Sequence, residues 1–198
     1  MKSKITGIIL IIGSLWYIIA EAICAFTFND TLANTYLKYT ISTLGIPNLN
    51  SPYFFLMNSA FILLGLIILF SSFYKFKDYI IKNKIIYYIF TITCGLGFII
   101  VGLIHSKSPL TSHYHVLGAN MAILGGNILL LIISKSMDRF KSYQEITLVL
   151  GIIGLIGYGL LFFNTSYMYR PIFERLSVYT LIIWSFMTGV YLRFNLNL

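Results

Sequence analysis

The sequence predicts an all-α polytopic membrane protein, a bundle of six transmembrane helices with both termini on the cytoplasmic side. Composition is the first reason: 58% of the 198 residues are hydrophobic, 10% are charged and the mean hydropathy is +0.85. A soluble domain carries about 25% charged residues. The second reason is that six stretches are long and apolar enough to cross about 30 Å of hydrocarbon, which takes roughly 20 helical residues. The third is that basic residues crowd alternate loops, as they do when successive spans reverse direction. A soluble monomer and a disordered chain are both excluded, since so apolar a chain has too few polar groups to cover a surface or to stay solvated.

The spans follow in order. The first runs from Ile5 to Phe28 behind Lys2 and Lys4. Its Ala20-Glu21-Ala22 matches a signal-peptide cleavage pattern, but the apolar run continues to Phe28, so an uncleaved helix is expected. The second, Tyr53 to Phe73, is preceded by Pro52, whose missing N–H costs least at a helix start. The third (Ile85 to Ile104), fourth (His115 to Ile133) and fifth (Ile146 to Phe163) are rich in glycine, which lets helix backbones approach in lipid. The sixth runs from Leu176 to Tyr191. Each is apolar all the way round, without the alternation of a transmembrane strand, so a β-barrel is excluded. The longest stretch between spans, Asn29 to Pro52, is too short for a core of its own, and residues 1–198 read as one domain. Asn58-Ser59-Ala60 and Asn120-Met121-Ala122 open the second and fourth spans alike, a weak internal echo.

Lys2, Lys4, Lys75, Lys77, Lys82, Lys84, Lys135, Arg139, Lys141 and Arg193 fall on one side; Lys38, Lys107, Arg170 and Arg175 fall on the other. The positive-inside rule assigns the first set to the cytoplasm of a cell-membrane protein. The net charge of +8 is therefore a topology signal, and nucleic acid is not an expected partner. Membrane lipids are, with a partner subunit or a second copy of the chain as further options. Cys24 lies near the outer end of its span and Cys94 roughly 15 Å deep at 1.5 Å per residue, so no disulfide is expected between them.

Polar residues other than lysine gather at the outer ends. Glu21 is the one acid within a span, and placing it there costs about 2.5–3.5 kcal/mol at the centre and less near the interface. It needs a partner, and Arg170, Arg175 or a protonated histidine could supply one. Glu21 is then either a general base, proton carrier or ligand anchor, or half of a structural ion pair between the first and last helices. His105, His113 and His115, the other catalytic candidates, come from the third loop. As metal ligands they lack the i, i+4 helical spacing of zinc proteases, so no metal site is expected, and haem would want histidines deeper in the spans. Asn58 and Asn120, with Arg170, Glu174 and Arg175 of the fifth loop, are ligand-binding candidates; guanidinium groups recognise phosphate bidentately. Ser42, Thr43, Ser108, Ser112 and Ser177 are hydroxyls on the same side, but no nucleophile elbow surrounds any of them. Asn29-Asp30-Thr31 and Asn164-Thr165-Ser166 match the glycosylation sequon. No motif names a cofactor.

Tyr39-Thr40-Ile41-Ser42-Thr43-Leu44-Gly45, then Pro52, then Asn58 opening a helix with Gly65, resembles the first signature of the membrane-protein family catalogued as domain of unknown function 998. Gly95-Leu96-Gly97 through Val101-Gly102-Leu103, with His115 and Gly118-Ala119, is similar to the second. Glu174-Arg175-Leu176 entering a helix with Trp184 echoes a third. The family has an aspartate where Thr43 stands, so the resemblance does not imply an acidic loop here. It implies the six-span topology and supplies no chemistry. Two readings of function remain: binding or modification of a lipid or amphiphile in an outward-facing polar pocket, or an accessory subunit or small-molecule carrier in which the polar cluster is structural.

Overall fold

The computed structural model describes residues 2–47, 49–137, 141–163 and 168–194. Arg139 and the sequon at Asn164 therefore lie outside the described residues. Those residues form seven α-helices: α1 (Lys2–Phe26), α2 (Leu32–Lys38), α3 (Phe54–Tyr74), α4 (Lys84–Leu103), α5 (Pro109–Ser136), α6 (Lys141–Phe163) and α7 (Arg170–Phe194). All but the short α2 are long and apolar enough to cross a membrane. The only strand-like pairing among the described residues is a single antiparallel bridge between Ile80 and Met137.

Helices α5, α6 and α7 outrun the apolar stretches that announce them, while α1, α3 and α4 keep close to theirs, and two starts change the placement of candidate residues. α5 begins at Pro109, so His113 and His115 are helical. The Ser108 hydroxyl accepts the Thr111 N–H (3.3 Å) and the Thr111 hydroxyl accepts the Ser108 N–H (2.9 Å), a reciprocal cap, while Pro109 takes the first position, where its missing N–H costs nothing. α7 begins at Arg170, with Pro171 in its first turn, so Glu174 and Arg175 belong to the helix instead of the loop before it. Hydropathy finds the apolar middle of a helix, whereas caps decide where it starts.

The spans close into a ring in which α1, α3, α4, α5, α6 and α7 each pack on the next, and α7 returns to α1. Short connections make sequence neighbours antiparallel. We call upper the end where α1 finishes; there α2 and a 3-10 turn at Ser42–Gly45 cover the bundle, and the Asn29 N–H donates to the Asn50 carbonyl at 3.0 Å. At the lower end Lys2 lies over the Tyr74 ring (5.3 Å to the centroid), and the Ile81 N–H donates to the Ser136 carbonyl at 2.9 Å. The interior holds Tyr17, Leu64, Phe98, Leu130 and Ile133, while Ile12, Ile85, Ile156 and Phe162 point outward, the arrangement lipid requires. Two seams are very tight: Gly97 of α4 lies against the α5 backbone at Gly118 and Ala122, and Gly7 of α1 against Gly189 of α7. Cys24 and Cys94 are both buried free thiols.

Candidate functional site

The upper end contains a cavity of about 670 Å³ between α5, α6, α7 and the first loop. Its walls differ in kind. Lys38, Thr40, Ser42 and Thr43 of the loop line one side with Arg170 and Glu174 of α7. His115 and Asn120 add polar groups from α5, and Tyr158 adds one from α6. Val116, Ile123, Leu161 and Phe162 are apolar lining, and Val116 and Phe162 are also exposed on the bundle surface. The cavity thus joins a polar chamber to the apolar flank of the helices.

Glu174, His115 and the Asn120–Tyr158 pair are fixed by their neighbours. The Ile41 N–H donates to Glu174 Oε2 at 2.8 Å, tying the first loop to α7. His115 Nδ1 donates to the Ile104 carbonyl at 2.6 Å, which leaves Nε2 as an acceptor. The Tyr158 hydroxyl donates to Asn120 Oδ1 at 3.1 Å across α5 and α6.

Glu21 does not line this cavity. Arg175 Nε donates to Glu21 Oε1 at 3.0 Å, and the Tyr179 hydroxyl donates to Oε2, also at 3.0 Å. Arg175 Nη1 faces the carbonyls of Tyr36 (3.1 Å), Tyr39 (2.8 Å) and Pro171 (3.3 Å), and the guanidinium stacks 4.8 Å above the Tyr36 ring. One arginine therefore joins α1, α2 and α7 just behind the cavity wall. A flat, five-donor cation suits this task; an ammonium could not reach so many acceptors in one plane.

Asn58 and His105 form a second brace. Asn58 Nδ2 donates to the Gly45 carbonyl (2.9 Å) and to His105 Nε2 (2.8 Å), and a Cβ at Gly45 would overlap the Asn58 amide. Burial first, then the nearby Lys107 and His115, hold the His105 imidazole below the usual histidine range, in keeping with its role as an acceptor. His113 is exposed, its ring edge-on to Tyr114 at 5.9 Å. Helical geometry sets His113 and His115 on different faces. Among the described residues no three His, Cys, Asp or Glu side chains gather to hold a metal ion.

Of the residues singled out by sequence, His115, Asn120, Arg170 and Glu174 line the cavity, as do the hydroxyls of Ser42 and Thr43. Glu21, Arg175, Asn58 and His105 stand behind it, and His113 stands apart. Lys38, Thr40, Ser106 and Tyr158 line it without having been singled out as ligand-binding candidates. Lys38 carried one signal, as one of few basic residues on the side poor in them.

Comparison with known proteins places residues 11–191 within the family described as "Protein of unknown function (DUF998)". No curated protein and no solved structure matches the chain.

Proposed function

We propose that this chain, which belongs to the DUF998 family of proteins of unknown function, binds a membrane lipid or other amphiphile in its upper cavity. The carrying observation is the two-sided lining: cations, carboxylate, amide and hydroxyls on one wall, and apolar side chains that run out onto the bundle flank on the other. A headgroup in the chamber would meet Lys38, Arg170 and Asn120, while its tail lies along Val116 and Phe162 in the bilayer. Lys38 and Arg170 favour an acidic headgroup, and the fixed position of Glu174 limits how close that charge approaches α7. With the basic loops in the cytoplasm, the cavity belongs to the outer leaflet of the cell membrane. Glu21 and Arg175 then act as scaffold, holding the wall that Glu174 and the first loop present.

The test is native mass spectrometry of the protein purified in mild detergent. Wild type should carry a stoichiometric lipid that is lost in Asn120→Leu and weakened in Lys38→Ala with Arg170→Ala, all three remaining monodisperse. A clean apo mass after mild extraction, or equal lipid retention in the variants, would sink the reading.

A further inference from the structure

The lining of the upper cavity is graded in charge. Lys38 and Arg170 are exposed and stand toward its mouth, whereas Glu174 and His115 are buried, 8% and 6% accessible. Ser42, Thr43, Ser106 and Asn120 are half-buried. The inner wall therefore carries one charge, a carboxylate, among neutral polar groups.

The hydrogen bonds within this wall leave capacity unused. Thr40 Oγ1 lies 3.1 Å from Ser42 Oγ and 2.7 Å from Thr43 Oγ1. Three hydroxyls bring three protons to two contacts, so one proton has no acceptor among the described residues. Ser106 and Ser112 share a single contact of 2.7 Å and likewise leave one proton over. Asn120 Oδ1 takes the Tyr158 hydroxyl, and the Nδ2 protons have no acceptor among the described residues. Acceptors are left over too. His115 Nδ1 gives its proton to the Ile104 carbonyl, so Nε2 offers a lone pair with no donor opposite it among the described residues. Glu174 takes the Ile41 N–H on Oε2 and lies beside the Ser42 N–H, yet a carboxylate accepts about four bonds.

A ligand that suits this wall must donate and accept at several points. Choline offers no O–H or N–H, and ethanolamine as its ammonium donates without accepting. A phosphate accepts, but its charge would face Glu174. Alcohol groups do both. At about 670 Å³ the cavity falls within the range of roughly 300–1,000 Å³ typical of small-molecule sites, so several such groups fit beside a phosphate.

We propose that the headgroup is a phosphodiester carrying a polyol, either glycerol or a sugar. Its phosphate stays at the mouth with Lys38 and Arg170, where guanidinium and ammonium can both reach it. The polyol enters to meet Glu174, His115, Asn120 and the hydroxyls of the first loop, and the tails lie outside along Val116 and Phe162. This specificity rests on the reading that the cavity holds a lipid, and adds which headgroup the chamber selects.

Delipidated full-length protein would be titrated in detergent with five lipids of identical chains, and binding read by native mass spectrometry. The probes are phosphatidylglycerol, phosphatidylinositol, phosphatidic acid, phosphatidylethanolamine and phosphatidylcholine. The two polyol lipids should bind roughly tenfold tighter than the other three, the worth of one or two well-made hydrogen bonds. Ser42→Ala with Thr43→Val should remove much of that margin and leave phosphatidic acid unchanged. Glu174→Gln, which keeps the Ile41 bond through its amide oxygen, should narrow the margin over phosphatidic acid. Lys38→Ala should weaken the three anionic lipids alike. Equal binding of all five, or preference for a lipid without a polyol, overturns the proposed specificity and leaves the lipid site standing. A double variant that keeps the full margin, or loses phosphatidic acid equally, overturns it as well. No binding of any lipid overturns the lipid reading itself, and the specificity with it.

Discussion

An acid in a membrane span must find a cation, and Glu21 finds Arg175 within a network that engages the guanidinium Nε and Nη1 and leaves the buried Nη2 without a hydrogen-bond partner. Both side chains are nearly inaccessible, 1% and 8% exposed, so their attraction is little screened and the loss of either member strands the other. Glu21→Gln should therefore destabilise the protein by about 3 kcal/mol. The measurement is thermal unfolding in detergent, paired with lipid retention, which should persist. Unchanged melting together with loss of the lipid would instead make Glu21 part of the binding site. Arg175→Gln alone should be more harmful than Arg175→Gln combined with Glu21→Gln, because the carbonyls of Tyr36 and Tyr39 lose their donor in both but only the single variant strands the Glu21 carboxylate.

At the scale of elements, lipid offers no hydrophobic force between helices, so close backbone packing must supply their association. The α4–α5 seam shows how little room that leaves. A Cβ on Gly97 would come within 2.7 Å of the Gly118 carbonyl oxygen and 2.8 Å of the Met121 carbonyl carbon, and neither backbone atom can turn aside. Gly97→Ala should thus cost about 1–3 kcal/mol and lower the unfolding temperature. Gly159 of α6 has nothing within 4 Å of the same position, so Gly159→Ala should be neutral or slightly stabilising. Equal effects of the two substitutions would refute the close-packed seam.

For the whole molecule, the ring gives two unlike ends. The lower end holds Lys2, Lys4, Lys75, Lys77, Lys82 and Lys84, with Lys135, Lys141 and Arg193; the upper holds the histidines, the cavity and the buried ion pair. Orientation follows from lysine and arginine in short loops during insertion. Single cysteines at exposed Lys107 and Lys82, on a background with Cys24 and Cys94 replaced by serine, should divide cleanly in intact cells. Lys107→Cys should react with a membrane-impermeant maleimide and Lys82→Cys only after lysis. The reverse result would put the cavity on the cytoplasmic side and move the proposed ligand to the inner leaflet.

The number of spans is legible in the amino-acid order, because a bilayer imposes one length and one composition on every helix that crosses it, and that constraint is one-dimensional. The same order marks the acid that would need a partner and the side of the chain on which polar residues gather. Which of these residues face one another depends on how the helices pack. Depth along a helix can be read from position, but in a span that is apolar all round the hydropathy pattern does not fix the angle about the axis. So Glu21 and Glu174 looked alike as outer-side acids, yet one is locked to Arg175 and the other opens into the cavity. His113 and His115 likewise looked like one cluster until the cap at Ser108 made them helical and turned them apart.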